Sequence, residues 1–496
     1  LDAIPSPQDW VHWCLENDTP GISITDHGTI ISFYDFLQHK EYIAEYNKQH
    51  KTDFSPDSVT YVPGCELYVK LNKEDKSHYH IVAWAVSDEG YFNLMKLASL
   101  AYDDTVNYFG NLKARVTFDQ IEQYRKGLKF GTACIASPMG SALIHGNKSD
   151  AEKIYKAYID MFGDDLYIEF HPTDLTKNFD HKRGGFVDIL PSANAPDGNL
   201  QKAYNIFLAE MVDKYGGKPI PATDAHFMTK EDKLLQDCFL KNGNVNGWHF
   251  AESYHQHKAD EIYSMLKSHL GDWLTEDKFN KWIDNTYEVM DAAKSIDIKF
   301  QYHLPAVDIP DNIKAHTDDY DKQTYYLMME KIKEHGRWRD DEVYVERFKK
   351  EIDVIMSNGT INFIPYFLIY EDMARFIRDQ GILQNIARGS AGGSLVSYYL
   401  KIIHIDPIKN DLPFERFLSR ARIRAGSFPD IDMDIGDRAR QLVMRYLQDK
   451  YGVGFAQIAT FNRIKTKNAI KDAMFSVYGR NRNDIEIKAV CDTIPD

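Results

Sequence analysis

The sequence predicts an α/β protein of several domains whose first half folds as a parallel barrel of alternating strands and helices. Three observations carry this reading. The chain has 496 residues, enough for about three domains at ~150 residues each. Its first half repeats one unit, a short apolar run with a His, Asp, Glu or Cys at one end and a helical stretch between successive runs. Its last third sets a loop of glycine and serine before an apolar helix, and then an alternating acidic segment.

The repeated units come in order. Gly21–Asp26 reads as a short buried strand running into a turn at His27-Gly28. Tyr61–Glu66, His80–Trp84, Phe130–Cys134 and Ile220–His226 follow the same pattern. Strands alternating with helices predict a parallel α/β barrel, whose strand ends carry the chemistry. Singly, each polar residue reads as structural, and Cys134 reads as core. Together, with Asp224-x-His226 among them, they fit a multinuclear metal site, because imidazole, carboxylate and thiolate suit zinc-like ions. Thr176–Asn199, rich in Lys, Gly, Asp and Asn, reads as a surface insertion. Glu276–Lys299 is charged and helical, Tyr302–Asp311 is extended and contains proline, and a domain boundary is expected near residue 285.

Composition narrows the class. Forty-three percent apolar residues suffice for ordinary cores. No run of 18 or more apolar residues is present, which excludes a membrane-spanning helix. The opening Leu-Asp-Ala-Ile-Pro-Ser has neither a basic start nor an apolar stretch, so it does not read as a signal peptide. It also lacks an initiator Met, which suggests a fragment or a processed chain. Five cysteines without a Cys-x-x-Cys pair point to a reducing compartment, the cytoplasm, and away from a disulfide scaffold or zinc ribbon. The net charge of −15 is wrong for a uniform phosphate-binding surface. Its distribution is uneven: Gln384–Arg482 holds 17 Lys/Arg against 9 Asp/Glu. A basic segment in an acidic chain predicts a local nucleic-acid groove.

In Phe428-Pro429-Asp430-Ile431-Asp432-Met433-Asp434-Ile435, strand alternation puts three carboxylates on one face and three apolar side chains on the other. Such a face suits divalent cations, because Mg²⁺ is held by one or two carboxylates plus substrate phosphates; a solvated acidic edge strand gives the same pattern. Upstream lies Ala387-Arg388-Gly389-Ser390-Ala391-Gly392-Gly393-Ser394-Leu395. Glycines permit close approach of backbone to an anion. Ser394 is expected to cap a helix Leu395–Ile403, and a helix N-terminus with Arg388 beside it is a phosphate site. Beyond Asp437, Leu442, Val443, Tyr446 and Leu447 predict a helix Arg438–Tyr451 ended by Gly452.

These segments, with Asp406-Pro407, Phe414-Glu415-Arg416-Phe417-Leu418, Ala456–Phe461, Ala469–Asp472, Pro365–Ile369 and Tyr302–Pro305, resemble the C family of bacterial replicative DNA polymerases, the alpha subunits of DNA polymerase III. The resemblance covers essentially the whole chain. It implies a polymerase-and-histidinol-phosphatase (PHP) domain over 1–285 with a (β/α)7-like barrel. The first part of a polymerase-beta-like α/β palm would follow over 286–437, and part of a helical thumb over 438–496. It implies template-directed addition of deoxynucleotides to a primer 3′ end in DNA replication, in a bacterial or phage replicase.

By the same resemblance, Asp430 and Asp432 are catalytic carboxylates that hold Mg²⁺, with Asp434 beside them. Arg388, Gly389, Ser390, Gly393 and Ser394 cradle the triphosphate, and Arg416 is a further phosphate or nucleotide contact. Arg463, Lys465, Lys467 and Lys471 lie in a thumb that grips the duplex backbone. Asp2, His27, Glu66, His80, Cys134, Asp224 and His226 become ligands of Zn²⁺ or Mn²⁺ in the PHP domain, which in the family either proofreads as a 3′–5′ exonuclease or is a degenerate module. His171 sits near an expected ligand position and is not assigned. The implied partners are primer–template DNA, deoxynucleoside triphosphates, a sliding clamp and other replisome subunits.

The sequence departs from the family in three places. Asn385-Ile386-Ala387 stands where the family has glycine and proline. The family's opening His-x-His is expected before Leu1, and its third catalytic Asp after Asp496, so the given residues are expected to extend primers poorly or not at all. Two other readings of the residues stay open: a PHP phosphoesterase with an accessory domain, and a non-catalytic polymerase half acting as a binding module.

Overall fold

An eleven-residue strand, Thr60–Lys70, runs through the first half of the chain and is buried along nearly its whole length. Burial along nearly the whole strand means that it is covered on both faces. The computed structural model describes residues 3–72, 74–108, 111–180, 185–242, 251–299, 303–357, 361–458, 465–478 and 484–494. Two compact units emerge, Leu1–Ile298 with Arg463–Asp496, and Lys299–Asn462.

In the first unit the strands are β1 (Gly21–Ile24), β2 (Thr60–Lys70), β3 (Tyr79–Ala85), β4 (Thr105–Tyr108), β5 (Asn111–Thr117), β6 (Leu128–Gly131), β7 (Leu166–Phe170), β8 (Lys177–Asp180), β9 (Gly185–Asp188) and β10 (Lys218–Pro221). The main sheet runs β10-β7-β6-β3-β2-β5-β4, with β1 also on β2. The five strands expected from sequence are all present, as β1, β2, β3, β6 and β10. The all-parallel barrel is not. β3 runs antiparallel to both β2 and β6. Only eight residues join β2 to β3, which suffices for an antiparallel return and is too short for a parallel crossover. Among the described residues no pairing joins β10 to β1, so hydrogen bonds do not close the sheet. Pro219 and Pro221 of β10 lack amide donors, which fits a strand paired on one side only, to β7.

Helix Glu276–Ala293 packs on β10 and β2 and buries Phe279, Trp282, Asn285 and Val289. The Asn285 amide donates to the Pro219 carbonyl at 2.7 Å. The unit therefore runs on through Ile298, and the boundary placed near residue 285 falls inside this helix. The expected insertion carries a two-stranded hairpin of β8 and β9.

The second unit is helical. Helices Tyr320–His335, Glu342–Ile355 and Ile364–Asp379 contribute to a core that includes Phe348, Phe367, Tyr399 and Phe417. No strand of the expected palm sheet forms among its described residues; one isolated bridge, Gln384 with Ile435, pairs the acidic segment. Pro429 removes a ladder donor, and three carboxylates on one face disfavour extended pairing. The helix expected over 395–403 ends at Tyr399, because Arg337 takes the Tyr398 and Ile403 carbonyls and Lys401 turns left-handed at φ 55°. The stretch expected as one thumb is divided: Asp437–Tyr451 packs on Ile364–Asp379, whereas Thr466–Tyr478 packs on Lys233–Asn242 of the first unit. No helix among the described residues is long and apolar enough to cross a membrane.

Candidate functional site

Register places the metal-type residues of the first unit. Past β1 the chain pairs once more with β2, through a parallel bridge between His27 and Glu66. Gly28 makes the turn at φ 60°, and a Cβ there would meet the Tyr68 ring at 2.8 Å. Across β2 and β3, Tyr68 faces His80 and Glu66 faces Val82, so Glu66 and His80 are diagonal neighbours on one face. The buried Glu66 carboxylate is shared between two imidazoles. His27 Nδ1 pairs with one oxygen, and His80 Nδ1 lies 3.0 Å from the other. Cys134 Sγ follows at 3.5 Å from His80 Nδ1 and 4.0 Å from Glu66 Oε1.

His27, Glu66 and His80 present ligand atoms that all lie within 4.8 Å of one another. Two nitrogens and a carboxylate this close fit a zinc-like cation. The electrostatics agree. Burial pushes the Glu66 carboxyl up, but His80 and His27 outweigh it and hold it well below the ordinary range. Burial raises the Cys134 thiol well above its usual value, and the charges of Glu66 and Asp224 add to that. Only a nearby cation makes such a group a thiolate.

His27, Glu66, Cys134, Asp224 and His226 line one cavity of about 1000 Å³. Asp224 and His226 follow β10, where His226 Nδ1 donates to the Asp224 carbonyl at 2.8 Å. That bond orients the ring, the usual support of a ligating histidine. The His226 and His27 rings are 6.2 Å apart. Asp2 lies outside the described residues.

Two further residues lining this cavity are Glu169 of β7 and His171, which follows it. Glu169 packs where Gly131 leaves room, since a Cβ there would fall 2.3 Å from its Oε2. Burial pushes its carboxyl up to about 8, against the Ala133 amide that it accepts. The signal in the sequence was the acid-x-His spacing at the end of an apolar run, the same as Asp224-x-His226.

In the second unit the loop and the acidic segment converge at two points. Gly389 has φ 62°, and a Cβ on it would lie 2.6 Å from Asp432 Oδ2. Arg388 Nη1 lies 2.5 Å from Asp434 Oδ1. Asp430, Asp432 and Asp434 are exposed, while Ile431 is buried and Met433 and Ile435 are half-buried, so the alternation holds without a strand. The Ile431 amide donates to the Tyr366 hydroxyl at 3.2 Å, which anchors the segment. Two exposed carboxylates on one face are what Mg²⁺ takes when phosphates complete its shell.

The other end of the loop is built differently from the expectation. Ser394 caps the short helix Leu395–Tyr399 but is fully buried. Glu351 accepts from the Leu395 amide at 2.9 Å, the Val396 amide at 3.1 Å and the Ser394 hydroxyl at 3.1 Å. An internal carboxylate thus takes the place expected for a phosphate. Gly393 is buried, a Cβ there would lie 2.5 Å from the Pro413 carbonyl, and its own carbonyl accepts from Arg347. Ser394 and Gly393 therefore shape the loop from within; Arg388 and Gly389 are exposed and Ser390 half-buried. The sequence signal for Glu351 was a carboxylate in the stripe Tyr344, Phe348, Glu351, Ile355, the buried face of its helix.

Arg416 is exposed, and its neighbour Glu415 pairs with Lys350 at 2.5 Å. Asp372 ties Asp437–Tyr451 to Ile364–Asp379, accepting from Tyr446 at 2.8 Å, Lys450 at 2.5 Å and Tyr451 at 3.2 Å. Arg463 lies outside the described residues, and Lys465 and Lys471 are exposed.

Comparison with known proteins gives the family. Residues 1–173 match the PHP domain, and residues 322–495 match the bacterial DNA polymerase III alpha NTPase domain. The chain is 31% identical over 495 residues to DNA polymerase III subunit alpha of Aquifex aeolicus, covering 95% of this chain and 38% of that one. It is 29% identical to the Helicobacter pylori subunit, covering 91% and 35%, and 25% identical to that of Thermus aquaticus, covering 97% and 40%. The chain belongs to the DNA polymerase III alpha-subunit family and corresponds to its N-terminal portion, PHP domain included. It spans about two fifths of the length of these relatives.

Proposed function

We propose that this chain forms part of an enzyme that adds deoxynucleotides to a primer 3′ end under the direction of a template. The observation that carries this is the convergence of the Arg388–Ser390 turn on the acidic segment, with Gly389 against Asp432 and Arg388 against Asp434. Asp430 and Asp432 hold Mg²⁺, and Arg388, Gly389 and Ser390 meet the triphosphate. Gly393, Ser394 and Glu351 keep the turn in shape. Bound Mg²⁺ supplies charge neutralisation at the phosphates and a more acidic primer hydroxyl. Exposed Arg416, Arg424, Arg440 and Arg445 offer phosphate contacts that position DNA without reading its sequence.

In the first unit His27, Glu66, His80 and Cys134 hold a divalent cation of the Zn²⁺ or Mn²⁺ type, with Asp224 and His226 lining the same cavity as His27, Glu66 and Cys134. Such a cation activates water for phosphodiester hydrolysis, which fits 3′–5′ removal of a mispaired nucleotide. The test is incorporation of single nucleotides on primer–template DNA by the full polypeptide that contains these residues. Incorporation that follows the template base and stops on Mg²⁺ chelation supports the reading; phosphatase activity without incorporation contradicts it.

A further inference from the structure

We propose that His171 is an additional metal ligand, placed at the Asp224–His226 end of the first unit's cavity and taking a divalent cation of the zinc or manganese class. The proposal rests on the metal-binding reading of that cavity. Its starting point is an anomaly of packing. His171 is 5% exposed, and neither ring nitrogen has a hydrogen-bond partner among the described residues. The Ala133 backbone approaches the ring without reaching hydrogen-bond geometry. A buried polar group left without a partner costs roughly 1–3 kcal/mol, so such a group calls for an explanation.

The strand order supplies one. β7 and β10 are parallel neighbours with Phe170 opposite Pro221. The Ala222 amide donates to the Phe170 carbonyl at 3.1 Å, just past the end of both strands. The next residues are His171 on one chain segment and Asp224-x-His226 on the other, and all three side chains line the same cavity. The Asn205 amide donates to the His171 carbonyl at 2.8 Å, which fixes the backbone that carries the ring. Glu66, Glu169 and Asp224 line the same cavity. A cation at this end would give the His171 imidazole the partner it lacks.

The experiment uses the 496-residue chain, stripped with chelator and titrated with Co²⁺, as wild type, His171→Phe and Glu66→Gln. Bound equivalents, the visible Co²⁺ spectrum and the metal-induced rise in Tm are read. Phe keeps the ring volume and removes both nitrogens, so metal-free His171→Phe should melt at or above wild type. Its Co²⁺ binding should weaken about a hundredfold, or lose one equivalent, with an altered spectrum. His171→Asn gives the same reading if the Phe variant does not fold. Wild-type Co²⁺ binding in both His171 variants, with loss in Glu66→Gln, overturns this proposal and leaves the metal reading of the cavity standing. No Co²⁺ binding by the wild type overturns both.

Discussion

Glu351 Oε1 accepts the Leu395 amide at 2.9 Å, inside the second unit and shielded from water. The same carboxylate takes the Val396 amide, the Ser394 hydroxyl and the Arg347 guanidinium. Glutamine at this position offers one acceptor oxygen for these donors. Glu351→Gln should therefore destabilise the second unit by about 2 kcal/mol, seen as a lower urea midpoint in that unit's transition. A midpoint equal to wild type would mean that the carboxylate does not hold the loop.

Arg388 and Asp434 form an exposed pair, each more than half accessible. Such pairs contribute about 0–1 kcal/mol, so Asp434→Asn should leave Tm nearly unchanged. It should also release Arg388 for phosphate. Calorimetric titration with Mg²⁺-tripolyphosphate should then show binding roughly threefold tighter in Asp434→Asn and about tenfold weaker in Arg388→Ala. Weaker binding in Asp434→Asn would assign Asp434 to the cation instead.

Burial raises the Asp372 carboxyl, but Lys450, Tyr446 and Tyr451 outweigh it and hold it below its ordinary value. A depressed carboxyl stabilises the fold fully above its unfolded pKa, about 3.9, and that stability is lost as pH falls through the folded pKa. Docking of Asp437–Tyr451 on Ile364–Asp379 should thus persist to about pH 4 and fail below it. Urea unfolding between pH 5 and 2.5 measures this; Asp372→Asn should flatten the acid limb and cost about 2 kcal/mol at neutral pH.

Divalent cation should stabilise the first unit by mass action, by about 2.7 kcal/mol at a hundredfold excess over Kd. Glu66→Gln, which breaks the shared carboxylate between His27 and His80, should abolish that increment in thermal unfolding with and without Zn²⁺. An equal increment in the variant would place the cation elsewhere.

The sequence made the local features legible and left the long-range ones hidden. The strands that carry His27, Glu66 and His80 read from their apolar runs, and Gly452 ends its helix as expected at φ 49°. Those signals are local in the chain. The reversal of β3 depends on the length of a connection, and the open β10 edge on two prolines whose partner strand no pattern names. Ser394 illustrates the same limit. Its role as a cap was readable from the following apolar run, but the carboxylate that closes the site lies 43 residues upstream. His171 was visible as a residue near the site; its lack of partners is a property of packing alone.

Asp432, beside Gly389, is proposed to take part in nucleotide transfer. Rapid-quench incorporation of one matched nucleotide by the full polypeptide tests it most directly, comparing wild type, Asp432→Asn and the exposed control Asp449→Asn. Asp432→Asn should lose about a thousandfold or more, roughly 4 kcal/mol of transition-state stabilisation, and the control should keep wild-type rates. Incorporation by Asp432→Asn at the wild-type rate would contradict it.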